Sequence, residues 1–176
     1  MCFSVLVCSP GELEEMLLAD RIQMAIGYFW HRVPSLDYTE IFSEDQLAYC
    51  ARGHPLFARA GKIDLAQADD HAWAWRSYPL PEAGALAPRK IGAIADNMEA
   101  VAMLVLSGKH LGYLPEHFAA PYVKQGLLAP LNAKTMRYRV ALQMVTRSAR
   151  NDAKCEIVKA FVDDMAVAHE AHISEN

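Results

Sequence analysis

Long hydrophobic runs are missing from this sequence. The longest apolar stretch, around Val101 to Leu106, is far short of the ~20 residues a membrane-spanning helix needs, so no such helix is expected. Paired cysteines are missing too: Cys2, Cys8, Cys50 and Cys155 are scattered and form no CxxC, which removes the common zinc and thioredoxin-like readings and leaves reduced, packed thiols. There is no basic excess. Seventeen Lys and Arg stand against twenty-one Asp and Glu, for a net charge of −4, so the chain lacks the electrostatic footprint that neutralising phosphates requires. No basic segment followed by an apolar run resembles an export signal, and with the free thiols this points to the cytoplasm. Catalytic signatures are absent as well. No G-x-S-x-G elbow or H-E-x-x-H occurs, Cys50 and His54 have no oriented base beside them, and Asp69-Asp70-His71 is read as a solvated polar run rather than a metal site. No enzyme, cofactor or metal is expected.

What the sequence does have is 53% apolar residues over 176 positions, enough for a real core. Cys2 to Val7 reads as a short strand. Ser9-Pro10-Gly11-Glu12 then offers a cap hydroxyl and a proline at the first helical position. Leu13, Met16 and Leu17 give that helix an apolar stripe, with Glu12, Glu14, Glu15 and Asp20 facing out. Ile22 to Ile26 follows as a strand, so a βαβ unit with parallel strands is expected. Leu36 to Cys50 alternates as a long extended segment. Ile63-Asp64-Leu65 begins a short polar helix or loop, and Trp73 to Trp75 is a brief strand. Ser77 to Pro88, with three prolines and a glycine, is a loop with freedom to shape a pocket. Lys90 to Ala95 is a strand, after which Asp96 caps a helix striped by Met98, Val101, Ala102 and Val105. Leu111 to Leu114 is a strand and Glu116 to Gln125 a helix that contains Pro121 and stops at Gly126. Leu127 to Leu131 and Val140 to Thr146 are strands, and a last helix spans about Asp152 to Ala168.

Several of these segments, in this order, resemble one family. Gly11-Glu12-Leu13-Glu14-Glu15-Met16-Leu17 with Gln23-Met24-Ala25-Ile26-Gly27, then His54-Pro55-Leu56, Asn97-Met98-Glu99-Ala100-Val101, Ser107-Gly108 to Gly112-Tyr113-Leu114-Pro115, Gly126-Leu127-Leu128 and Ala160-Phe161-Val162 are similar to the effector-binding domain of LysR-type transcriptional regulators. No single motif is specific; their order over nearly the whole chain carries the likeness. The resemblance implies an α/β fold like that of type II periplasmic binding proteins, with two lobes joined by two crossing strands. Residues 1–48 with 140–176 would form the first lobe and 49–139 the second, with a small-molecule effector in the cleft. Family members begin with a helix-turn-helix, and their effector domain opens with a strand and helix that would precede Cys2. None of these is found here, so direct DNA binding by this chain is not expected. A homodimer through the first lobe is a further implication.

The resemblance places a ligand-facing hydroxyl at Ser9, where an ordinary helix cap reads equally well. Arg76, after a strand and before the Pro-rich loop, could hold an acid in bidentate fashion, although most single arginines are solvated. Ser77 and Tyr78 share that position by resemblance. Gly27, Tyr28 and Phe29 close a strand and would supply an apolar wall or hinge packing. Asn97 starts a helix, with capping its plainer role. The leading reading is a metabolite-sensing regulatory domain for an organic acid or polar aromatic. A transporter's solute-binding protein is the alternative, and an enzyme on the same scaffold comes third.

Overall fold

The computed structural model describes residues 4–148 together with Glu156, Ala160, Phe161, Asp163 and Asp164. They fall into two compact units, a larger one of residues 4–9 and 44–140 and a smaller one of residues 10–43 and 141 onward. The divides lie at 9/10, 43/44 and 140/141, against 48/49 and 139/140 from the sequence, which kept residues 1–9 with α1; the last two fall inside strands, where no turn residue marks them.

In the smaller unit, α1 (Pro10–Leu18) leads to β1 (Met24–Gly27). Of the strand read at Cys2 to Val7, Cys2 and Phe3 lie outside the described residues and residues 4–7 have no regular structure, with Val5 and Val7 exposed. Its neighbour is therefore not parallel. β1 instead pairs antiparallel with the end of β7 (Arg137–Arg147), Met24 opposite Thr146 and Gly27 opposite Gln143, so the expected parallel βαβ unit is corrected to an antiparallel pair. Leu17, Ala25, Phe29, Leu36 and Val145 form the core.

Glu14 also departs from the sequence reading. Pro10, Glu14 and Leu17 share the buried side of α1, because positions i, i+4 and i+7 fall on one face of a helix. The carboxylate is tolerated there because it is bonded: Tyr38 Oη donates to Oε1 at 2.7 Å and His31 Nε2 lies 3.2 Å from Oε2. Burial, with the Glu14 bond and charge adding to it, pushes the Tyr38 phenol up to about 12.

In the larger unit, β2 (Leu36–Ala51) enters from the smaller one and ends in a turn at His54. α2 (Leu65–Asp69) follows, closed by a capping box between Asp64 and Gln67. β3 (Trp73–Arg76) and β4 (Ile91–Ala95) pair in parallel, separated by a 3-10 segment at Pro81–Leu86 inside the Pro-rich stretch. α3 (Met98–Leu106) returns the chain to β5 (Gly112–Pro115). Asn97, not Asp96, caps α3: its Oδ1 accepts the Ala100 N–H at 2.8 Å, the bond that Asp96 sits one residue too early to make. α4 (Glu116–Lys124), with Pro121 inside it, leads to β6 (Leu128–Pro130). The last helix read from the sequence lies largely outside the described residues, of which Glu156, Ala160, Phe161, Asp163 and Asp164 are helical.

A parallel bridge from Trp73 to Leu111 joins β3 to β5, and β2 pairs antiparallel with both β5 and β6. Strands β3, β4 and β5 thus point their carboxyl ends the same way. α3 covers them: Val101, Ala102 and Val105 are buried against Ala74, Ala95, Leu114 and Leu47. The helix comes in close because Gly112 has no side chain. A Cβ there would stand 2.6 Å from Val105 Cγ2 and 3.1 Å from Val101 Cγ1.

Gly112→Ala is therefore expected to lower unfolding free energy by about 1–3 kcal/mol through overpacking. Urea unfolding followed by circular dichroism measures this, and an unchanged midpoint would show that α3 is not held against β5 as tightly as the contact requires.

Candidate functional site

The carboxyl ends of β3, β4 and β5 gather the chemistry. Arg76 ends β3, and Ser77 continues beside β4 by donating its N–H to the Ala95 carbonyl at 3.1 Å. Asn97 follows β4 by two residues, so the structure brings four of the sequence candidates, Arg76, Ser77, Tyr78 and Asn97, to one end of these strands. Ser77 is exposed and Tyr78 half-buried. The Asn97 carboxamide oxygen is committed to its helix cap.

A shallow recess with a cavity volume of about 10 Å³, open to solvent, lies against this end, lined by Ala74, Trp75, Arg76, Leu80, Val101, Tyr113 and Tyr138. Its walls are rings in mutual contact. Tyr113 stacks on Trp73 at 5.2 Å, meets Trp75 edge-on at 6.0 Å and tilts against Tyr138 at 4.9 Å. Arg76 is the only cationic side chain in the lining, and its Nη1 is buried without a hydrogen-bond partner. A buried, unpaired guanidinium nitrogen costs roughly 1–3 kcal/mol or more. An anionic acceptor in the recess would relieve it.

Glu44 adds a charge of the opposite sign. Its side chain is 12% exposed, Gln46 Nε2 donates to its Oε1 at 2.6 Å, and His117 Nδ1 lies 3.8 Å from Oε2. Burial pushes the Glu44 carboxyl up, against the opposing pull of His117, Arg76 and the Gln46 bond. Burial likewise raises the Tyr78 phenol, which feels Arg76 and Glu44 in opposite directions. Tyr138 is raised by burial with Arg76 opposing, so one guanidinium acts on three groups around it.

Glu44, Tyr113 and Tyr138 were not singled out from the sequence. The available signal was a glutamate on the same strand face as Gln46, both approaching the apolar run Leu47 to Ala51. The remaining candidates belong elsewhere. Gly27, Tyr28 and Phe29 lie in the smaller unit, where Tyr28 and Phe29 are buried and Phe29 meets Tyr38 edge-on at 5.7 Å. Ser9 is half-buried directly before α1.

The opposite ends of the same strands carry histidines. His54 packs on His71 at 4.9 Å between ring centroids and is lowered to about 4 by burial, with His71 and His110 adding to the effect. Asp69-Asp70-His71 is a solvated run only in part: Asp70 is exposed, but Asp69 is mostly covered and pairs with Arg89 at 3.4 Å, because α2 turns it back onto the segment before β4. Among the described residues no group of three His, Cys, Asp or Glu is arranged to hold a metal ion, and no helix is long and apolar enough to cross a membrane. Cys50 is buried, and burial pushes its thiol up to about 11.

Comparison with known proteins gives a consistent result. Residues 2–166 match the model of the LysR substrate binding domain. The chain is 31% identical over 163 residues to the HTH-type transcriptional activator BauR of Pseudomonas aeruginosa, covering 91% of this chain and 53% of that protein, so it spans about half the length of this curated relative. Among solved structures, the effector binding domain of QuiR in complex with shikimate superposes with a TM-score of 0.74 at 17% identity, over 93% of this chain and 79% of that one. The apo regulatory domain of HypT from Salmonella typhimurium gives 0.72 at 14% identity, over 97% and 84%. Full-length LysG of Corynebacterium glutamicum with bound effector arginine gives 0.60 at 17%, over 91% and 56%. The fold is that of these regulatory domains, the type II periplasmic-binding-protein architecture, with β2 and β7 as the strands that cross between its two units.

The covered phenols set an alkaline limit. Tyr38 and Tyr49 are raised from 10.0 to about 12, and Tyr113 and Tyr138 are raised as well, all chiefly by burial. Above pH 10 the unfolded chain has lost protons that the folded chain keeps, so stability is full below pH 10 and falls as pH rises toward 12. Thermal melts from pH 8 to 11 are expected to show this decline, shallower in Tyr113→Phe; identical slopes would remove Tyr113 from the account.

Proposed function

The chain belongs to the LysR substrate binding domain family, whose members are non-catalytic regulatory modules, and from that premise we propose that it is a sensor whose larger unit binds an organic acid, or a polar aromatic bearing an acid, through Arg76. The observation that carries this is the buried, unpartnered Nη1 of Arg76 beside a recess walled by Trp75, Tyr113 and Tyr138. An acid docked there gains charge-assisted hydrogen bonds, and the rings supply apolar contact. The position agrees with the rule that open α/β sheets receive ligands beyond the carboxyl ends of their strands. Ser77, Tyr78 and Asn97 border that end; Ser9, directly before α1, and Gly27, Tyr28 and Phe29 of the smaller unit are assigned to effector binding by resemblance to the family.

The sensing role follows from linkage: an effector that binds one conformation better than another shifts the population toward it. In this reading the chain acts in the cytoplasm as the regulatory part of a transcriptional regulator. DNA contacts come from a helix-turn-helix that these residues do not supply, and the smaller unit offers the homodimer surface.

Titration calorimetry of the chain against small carboxylic acids, aromatic and aliphatic, tests the assignment. A bound acid is expected to lose about ten- to a hundredfold in affinity in Arg76→Ala, the worth of a charge-assisted hydrogen bond, and less in Arg76→Lys, which keeps the charge without the fork. Equal affinity in Arg76→Ala would refute the role of Arg76.

A further inference from the structure

Arg76 lines the recess and Glu44 stands at the same end of the sheet outside its lining, and the two charges do not pair. Arg76 ends β3, which is bridged to β5 at Leu111, and β5 pairs with β2 through Pro115 opposite Gln46. Glu44, two residues before Gln46 on the same face of β2, therefore comes to the end of the sheet where Arg76 stands. Arg76 acts on Glu44 electrostatically, yet among the described residues no ion pair joins them. The carboxylate holds only Gln46 at 2.6 Å and the mostly exposed His117 at 3.8 Å, while the guanidinium keeps Nη1 empty.

Opposite charges in a partly dehydrated site ordinarily close on each other, since attraction at short range in low dielectric far exceeds that in water. Here each remains short of a partner. A simple acid would complete Arg76 and face repulsion from Glu44; a simple amine would do the reverse. A molecule carrying both charges satisfies both groups and brings no net charge into the site.

We propose that Arg76 and Glu44 together select an amino acid, the guanidinium taking its carboxylate and Glu44 its ammonium group, so that the ligand bridges two charges which do not reach one another. The inference rests on the acid-sensing reading above and narrows it to zwitterions. The ammonium acts on Glu44 in the same direction as His117, Arg76 and Gln46, offsetting burial and holding the carboxylate ionised. Tyr78, two residues after Arg76, feels both charges.

The test sets the standard amino acids and 4-aminobutyrate against the same acids without the amine, such as 3-phenylpropionate for phenylalanine and butyrate for 4-aminobutyrate, by calorimetry on the chain and on Glu44→Gln. At least one amino acid is expected to bind about ten- to a hundredfold tighter than its deaminated counterpart. Glu44→Gln, nearly isosteric, is expected to close that gap while still binding the deaminated acid, which also reports that the variant is folded. Glu44→Asp is expected to retain part of the preference. Deaminated acids that bind as tightly as amino acids, a preference unchanged in Glu44→Gln, or a panel in which no amino acid binds would each overturn the proposal. The first two leave acid recognition by Arg76 intact, whereas loss of Arg76 dependence overturns the parent reading instead.

Discussion

The seat of α3 on β5 is the contact on which the larger unit depends. Val101 and Val105 press onto a strand that at Gly112 is bare backbone, and this close approach lets one helix cover β3, β4 and β5 together. Parallel strands demand such a crossover, because a tight turn cannot return the chain to run in the same direction. Once α3 is seated, the three carboxyl ends are level with one another. Arg76, Asn97 and the Tyr113 ring then share a neighbourhood although the sequence separates them widely.

The smaller unit solves a different problem, that of a carboxylate on a buried helix face. Glu14 is held by Tyr38 and His31, and Arg32 lies over the Tyr38 ring at 4.5 Å while also donating to Gln143 of β7. A polar network of this kind tolerates little substitution, since removing one member leaves another buried and unpaired.

Much of the fold was legible because its signals are local. The Val101 to Val105 stripe, the run from Leu36 and the stop at Gly126 are properties of neighbours in sequence, and each element appears within a few residues of its reading. What failed depended on partners. β1 reads as a strand from its own residues, but whether it runs parallel or antiparallel is decided by β7, more than a hundred residues away. Glu14 reads as solvent-facing because its acceptors are filled by Tyr38 and His31. The site was legible in part for the same reason: Arg76 was visible as a cation at a strand end, whereas Glu44 acquires its meaning only when β2 is laid beside β5. Asn97 against Asp96 is a case where the choice between adjacent caps turned on a single backbone N–H.

The interleaving of the two units also imposes an order of assembly during synthesis. Residues 44–140 of the larger unit are contiguous and hold all the strands that flank α3, so its sheet can close as soon as they have emerged. α1 and β1 are made earlier and finish later, because β1 finds its hydrogen-bonding partner only in Gln143 to Thr146. At roughly 5–20 residues per second of translation, α1 waits several seconds with its core lacking Val145 until the chain returns. That is the interval in which a chaperone, or a neighbouring nascent chain, competes with β7 for the same apolar face.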